Sequence, residues 1–222
     1  SKYYERTSEI KFGFIYPVLI AIIPVALIAI ETDMGTAALL ICASLIVMFV
    51  SGSNIKMFIV SAFGSLSVLA LAVWQNPNRL ERFIAFLDLE AHKTGFGLQQ
   101  WRAQLAMGEG GISGLGLGEG REKLMYMPFA HTDFIFPMIG EELGARITLS
   151  VVLIFVLILV FGVSISNSAP DRFGKLLGFG LIILISLQAL LNVAVTTGCL
   201  PNKGLPLPFV SYGGSNLLFC LA

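Results

Sequence analysis

The chain has 222 residues, of which 56% are apolar and 13% are charged, and its basic and acidic side chains balance to a net charge of zero. This composition indicates a membrane protein rather than a soluble domain, and it gives no basic signature for nucleic acid. The three cysteines are far apart without CxxC spacing, and only two histidines are present. The chain therefore predicts neither a disulfide framework nor a multi-histidine metal site.

Six apolar segments predict membrane-spanning helices. They cover about 12–30, 36–50, 57–74, 134–163, 176–197 and 209 to the end. We therefore expect an all-α fold, a polytopic membrane helix bundle that forms one integral-membrane domain over 1–222. The chain begins without methionine, and its last apolar run is shorter than the about twenty residues that a span needs. Both features predict a fragment of a longer protein.

Charges in the short loops predict the orientation of the bundle, because cytoplasmic loops are enriched in lysine and arginine. One group comprises the N-terminal flank, Lys56, and the pair Arg172 and Lys175, whereas the opposite short connections carry only Lys203. We expect the first group to be cytoplasmic. The long loop over 75–133 and the connection over 198–208 would then both face outward.

The turn Glu31-Thr32-Asp33-Met34-Gly35-Thr36 joins the first two spans. Its residue types predict a helix cap by Asp33 or Thr32 and close packing at Gly35.

The long loop begins with a pair of arginines, Arg79 and Arg82. On a short helix, residues three apart share a face, and two guanidinium groups on one face suit a pyrophosphate. The alternative is that they pair with Glu81, lipid phosphates or solvent.

A glycine-dense run over 108–120 follows in the same loop. It lacks the ending of a P-loop and the βαβ context of a dinucleotide site. The run predicts tight turns and close backbone approach, although a flexible loop over a substrate groove would have the same pattern.

Asp133 is the main catalytic candidate, because it lies where the polar long loop runs into an apolar helix. Two interpretations are open. Aspartate is a preferred residue at a helix start, where it caps the first turn. A carboxylate partly desolvated by Phe129, Phe134 and Phe136 could instead act as a general base.

Three charged residues lie inside the fourth span: Glu141, Glu142 and Arg146. Charges at that depth are functional candidates. Glu142 and Arg146 are four apart in the favourable order, which predicts an ion pair. Glu141 lies about 12 Å along a helix from Asp133 and has no evident partner, so it is expected to line a polar cavity.

The segment from Thr196 to Asn216 carries three prolines, which stop helix continuation. Bent backbone at membrane depth must be buried in protein or face a cavity. In such a cavity, Lys203 could bind a phosphate. The alternative is that the segment is a rigid re-entrant turn that packs against the bundle.

Three motifs in this order resemble the SEDS family (shape, elongation, division and sporulation) of polytopic peptidoglycan glycosyltransferases. They are Glu31–Thr36, Lys123–Gly144 and Thr197–Ser215, and the last two are long and specific. The resemblance covers nearly the whole chain, is strongest to the division and sporulation branch, and implies about four further spans ahead of Ser1.

The resemblance implies polymerisation of lipid II into glycan strands at the outer face of the bacterial cytoplasmic (inner) membrane. Asp133 matches the family's essential acid, which favours the catalytic interpretation. The implied substrate-binding residues are Arg79, Arg82, Lys123, His131, Thr132, Glu141, Lys203 and Ser211.

The implied partners are the lipid-linked substrates (lipid II and an undecaprenyl-pyrophosphate-linked glycan), a class B penicillin-binding transpeptidase, other division proteins and membrane lipid. No cofactor is required by the resemblance, and a divalent cation, magnesium or manganese, stays open. The chain departs from the family at Glu31, at Arg146 and at Phe129, which stands where an acid is usual.

Two other functions are open on the residues alone. A transporter (flippase) of lipid-linked precursors would need no base, and its path could use the charges within the fourth span. A non-enzymatic scaffold for a transpeptidase would need neither a base nor a transport path.

Overall fold

The computed structural model describes residues 15–30, 33–121 and 132–221. Those residues form eight α-helices and no strands. The helices are α1 (Tyr16–Ile30), α2 (Met34–Val50), α3 (Ile55–Trp74), α4 (Pro77–Leu87), α5 (Leu98–Gly110), α6 (Ile135–Asn167), α7 (Arg172–Thr196) and α8 (Gly214–Leu221). The prediction of an all-α fold is confirmed.

Three helices are long and apolar enough to cross a membrane: α3, α6 and α7, with 20, 33 and 25 residues. Helices α1 and α2 are apolar but shorter, with 15 and 17 residues. Large apolar side chains such as Phe63 and Leu149 are more than 60% exposed along these helices. Exposed apolar surface of this extent fits lipid and not water, so the chain is an integral membrane protein.

The last span was predicted to begin at Phe209, and the structure begins its helix later, at Gly214. The backbone at Phe209 has a φ of 63°, a left-handed conformation that a helix does not contain. Residues 209–213 therefore complete the proline-rich connection, named here the 199–213 loop.

The chain divides into two compact units. The first lies within Ser1–Gln75 and Leu159–Leu184, and the second within Asn76–Ile158 and Ile185–Ala222. In the first unit, Arg172 Nη2 at the start of α7 donates to the Ser51 carbonyl, 2.8 Å away, in the α2–α3 connection. This contact joins two of the loops that were predicted to share a side.

Helix α2 begins with the predicted cap. The Asp33 carboxylate accepts hydrogen bonds from the N–H groups of Gly35 and Thr36, at 3.1 and 3.2 Å, and from the Thr36 hydroxyl at 2.6 Å. Gly35 is buried. The interpretation of this motif as a capped turn with close packing is confirmed.

The long loop contains two helices of the second unit. Asn76 caps α4, accepting from the Asn78 N–H at 3.2 Å, and Pro77 occupies the first turn, where its missing N–H costs nothing. The short helix that would carry Arg79 and Arg82 is therefore present. Helix α5 was not predicted; its buried Ala103 and Ala106 pack against Phe134 and Met138 at the start of α6.

Candidate functional site

Helix α6 is interrupted at Gly144, whose φ of 79° and ψ of 175° are not helical. The interruption frees the main-chain carbonyls of Glu141 and Glu142. They accept hydrogen bonds from the N–H groups of Leu115 and Gly116, both at 2.9 Å. In return, the Ala145 N–H donates to the Gly111 carbonyl at 2.9 Å. Backbone from the glycine run thus occupies the break in the helix. The close backbone approach that was predicted for this run is confirmed.

The carboxylates of Glu141 and Glu142 bind the same run, named here the glycine loop (residues 111–121). Glu141 Oε1 accepts from the Arg121 N–H at 2.6 Å, and Glu142 Oε2 accepts from the Gly118 N–H at 3.2 Å. Glu141 is completely buried. Both acids therefore bind the glycine loop to α6. In the sequence, this loop directly precedes the motif that contains Asp133.

Two expectations about these acids are wrong. Glu142 and Arg146 do not form the expected helical ion pair, because Gly144 breaks the helix between them and Arg146 is exposed. Glu141, expected to lack a partner, bonds the backbone of Arg121. A contact of Glu141 with substrate stays a prediction.

Three polar residues of α7, four apart, lie on the face of the helix that meets the 199–213 loop. Gln188 Nε2 donates to the Pro206 carbonyl at 2.8 Å. Asn192 Nδ2 donates to the carbonyls of Leu205 and Asp133 at 2.6 and 2.8 Å. Thr196, fully buried, donates to the Asn192 carbonyl at 2.8 Å. Because bent backbone cannot be left unsatisfied away from water, Gln188 and Asn192 determine the path of the loop, whereas Thr196 bonds within α7.

A third amide, that of Gln100 in α5, binds the beginning of the same loop. Its Nε2 donates to the carbonyls of Val195 and Leu200 at 2.9 and 2.8 Å, and the residue is 1% exposed. The sequence interpretation missed Gln100, Gln188 and Asn192. For the last two, a signal was present: polar amides at a spacing of four within an apolar span, where polar groups need partners.

Asp133 lies two residues before α6, in the turn that leads into the helix. The following Phe134 and Phe136 are buried, and Asp133 itself is half-buried. Helix α6 begins at Ile135, which puts Phe134 rather than Asp133 at the usual capping position. A β-carbon built on the exposed Gly204 would lie 2.7 Å from Asp133 Oδ2. The carboxylate therefore lies directly against the 199–213 loop at its exposed edge.

Two residues predicted to bind substrate form part of the framework around Asp133. Ser211 Oγ donates to the Thr132 carbonyl at 2.6 Å and accepts from the Leu207 N–H at 2.7 Å. Ser211 is buried and Thr132 is half-buried. Their roles toward substrate stay predictions.

The predicted cations lie on two elements. Lys203 is half-buried and precedes Gly204 in the 199–213 loop. Arg79 is half-buried on α4, and Arg82 is exposed there with its guanidinium 6.0 Å from the centre of the Phe96 ring. Lys123 and His131 lie outside the described residues. The structure thus brings Asp133, Thr132, Lys203 and Ser211 together, whereas Glu141 lies at the glycine loop.

Residues 1–222 match the family model FtsW/RodA/SpoVE, described as cell cycle protein. Several relatives are named probable peptidoglycan glycosyltransferase FtsW. The relative from Trichlorobacter lovleyi is 38% identical, over 98% of this chain and 57% of its own length. The relative from Coxiella burnetii is 39% identical, over 98% of this chain and 59% of its own length. A solved structure described as "Structural coordination of polymerization and crosslinking by a peptidoglycan synthase complex" aligns with a TM-score of 0.78 at 26% identity, covering 97% of this chain and 60% of that one. The chain spans about three-fifths of the length of the curated relatives it matches.

Proposed function

Because the chain belongs to the FtsW/RodA/SpoVE family of cell cycle proteins, we propose that the complete protein polymerises glycan strands of peptidoglycan during cell division. The substrates are lipid II and a growing glycan linked to undecaprenyl pyrophosphate. The relatives' names, probable peptidoglycan glycosyltransferase, support the reaction class. The two long sequence motifs that contain Asp133 and Lys203 support the substrate class.

The position of the Asp133 carboxylate is the observation that carries this proposal. It is half-buried, follows a polar segment, and lies against a glycine that is itself exposed. An acceptor that approaches this exposed edge would meet the carboxylate, and the adjacent Phe134 and Phe136 are buried. A general base needs this combination of access and partial desolvation.

In the proposed reaction, Asp133 accepts the proton of the 4-hydroxyl group on the GlcNAc of lipid II. The freed oxygen attacks the anomeric carbon of the donor glycan and forms the new glycosidic bond with inversion from α to β. The bond to undecaprenyl pyrophosphate breaks, and that group leaves with the electron pair. It needs cationic stabilisation rather than protonation, which Arg79, Arg82, Lys123 and Lys203 are proposed to supply.

We place the protein in the bacterial cytoplasmic membrane with Asp133 at the outer face. The excess of lysine and arginine on the opposite short loops supports this orientation. A class B penicillin-binding transpeptidase is the proposed partner, because the similar solved structure is described as a complex that coordinates polymerisation and crosslinking.

The described residues do not fit a resident metal site. No group of three or more His, Cys, Asp or Glu among them could bind a metal ion. Magnesium or manganese bound with the substrate would supply positive charge to the leaving pyrophosphate. Binding through substrate phosphates is common for Mg²⁺.

The proposed function predicts that the purified full-length protein, supplied with lipid II in detergent, makes glycan chains. A flippase has no second leaflet in a micelle and would return lipid II unchanged. The measurement is the length distribution of glycan products on a gel, with heat-denatured protein as the control. Unreacted lipid II alone, from protein that is folded by its thermal unfolding profile, would contradict the proposal.

A further inference from the structure

We infer that Asn192 and Gly204 are positioning residues that set where the Asp133 carboxylate lies. Asn192 fixes the main chain at Asp133, and Gly204 provides the space that the carboxylate occupies. This inference rests on the proposed function, since it assigns both residues a purpose in the reaction of Asp133.

Asn192 joins two segments that are distant in sequence. Its side-chain nitrogen has two hydrogens, and it donates to the Asp133 carbonyl at 2.8 Å and the Leu205 carbonyl at 2.6 Å. The residue is 2% exposed. Loss of this amide would leave two carbonyls without their donor, a cost of about 1–3 kcal/mol for each buried group. Asn192 therefore links the backbone of Asp133 to the 199–213 loop through a single side chain.

The carbonyl of Thr132, the residue before Asp133, also accepts a hydrogen bond from a side chain. Ser211 Oγ, in the 199–213 loop, donates to the Thr132 carbonyl at 2.6 Å. Two consecutive carbonyls, those of Thr132 and Asp133, are thus bound by two different elements. These two hydrogen bonds fix the backbone at Thr132 and Asp133 relative to α7 and the 199–213 loop.

Gly204 leaves room for the Asp133 carboxylate because it has no side chain. A β-carbon at this position would lie 2.7 Å from Asp133 Oδ2 and 3.6 Å from its Cγ, and no other atom of the described residues would lie within 4 Å. The φ of Gly204 is not in the left-handed region, so the backbone would accept alanine. The position uses glycine for space alone, and any β-carbon there must displace the carboxylate.

The variant Gly204→Ala tests this inference in the full-length protein, because it moves the acid without changing it. A displacement of about 1 Å can lower a rate about a hundredfold. We expect kcat for lipid II polymerisation to fall by tenfold to about a hundredfold, with KM for lipid II and the Tm close to those of the unaltered protein. Gly108→Ala is the matched control, since a β-carbon there would have no atom within 4 Å in the part of the chain that the structure describes.

The variant Asn192→Leu tests the other half, and we expect it to lower kcat by a similar factor. Its control is Ser186→Ala on the same helix, because the Ser186 hydroxyl is buried without a hydrogen-bond partner among the described residues. If Asn192→Leu fails to fold, Gly204→Ala decides alone, because its only close contact is with the end of one side chain.

The outcomes separate this inference from the proposed function. Unaltered kcat in a folded Gly204→Ala protein, together with an inactive Asp133→Asn protein, would overturn the positioning roles and leave the proposed base in place. If kcat is unaltered and only the Tm falls or the KM for lipid II rises, the positioning roles would also be overturned. Polymerisation by Asp133→Asn at the unaltered rate would remove Asp133 as the base, and both positioning roles with it, whereas a full-length protein that makes no glycan chains would remove the proposed function itself.

Discussion

Replacement of Asp133 by asparagine is expected to abolish glycan polymerisation, lowering kcat by about a hundredfold or more. Asparagine has nearly the same shape, and its side-chain oxygen still accepts hydrogen bonds. It does not accept a proton as a carboxylate does. The fold around the residue depends on the main-chain carbonyl of Asp133, which Asn192 binds, and that carbonyl is unchanged in the variant. The Tm should therefore stay close to that of the unaltered protein.

The measurement is the initial rate of lipid II consumption by the full-length variant in detergent, beside its thermal unfolding. Asp88→Asn is the matched control: Asp88 lies in the same unit, is exposed, and accepts from the Ala91 N–H at 3.1 Å through its carboxylate. It should polymerise at the unaltered rate. Equal rates in the two variants would show that Asp133 serves the fold or the substrate contact and not proton transfer.

Gly144→Ala is expected to cause a large loss of stability in the second unit. The φ of 79° and ψ of 175° belong to a region that only glycine populates, at a cost of about 1–3 kcal/mol for other residues. An added β-carbon would also collide with the backbone of the glycine loop, 2.6 Å from the Ser113 carbonyl carbon. Backbone cannot move aside as a side-chain end can, so we expect a loss of about 3 kcal/mol or more in the free energy of unfolding.

Thermal unfolding in detergent measures this loss as a lower Tm. Among residues 15–30, 33–121 and 132–221, none other than its neighbours in α5 lies within 4 Å of a β-carbon at Gly108. Alanine favours a helix over glycine by about 1 kcal/mol, so the Gly108→Ala control should be unchanged or slightly more stable. A Gly144→Ala protein as stable as Gly108→Ala would contradict the described insertion of the glycine loop into α6.

The elements that follow simple local rules could be predicted from the sequence. Apolar runs gave the long helices, Asp33 gave a cap, and Asn76-Pro77 began the helix that carries Arg79 and Arg82. The framework around Asp133 could not be predicted, because it depends on pairings between distant residues. Asn192 binds the main-chain carbonyl of Asp133, 59 positions away, and Gln100 binds the carbonyl of Leu200, 100 positions away.

The charges inside the fourth span show a second limit of sequence rules. Glu142 and Arg146 have the spacing of a helical ion pair, but that rule assumes an unbroken helix. Gly144 carries no sequence mark that separates a helix break from an ordinary packed glycine. With Glu141 and Glu142 bonded to the glycine loop, these acids no longer serve as the main argument for a transport path.

The most direct test of the account is an experimental structure of the full-length protein with lipid II bound as acceptor. The account predicts that a carboxylate oxygen of Asp133 lies within about 3.2 Å of the GlcNAc 4-hydroxyl oxygen, or one water away. It also predicts that this carboxylate still lies against Gly204. A bound acceptor whose 4-hydroxyl group faces another residue, out of reach of Asp133, would contradict the central claim.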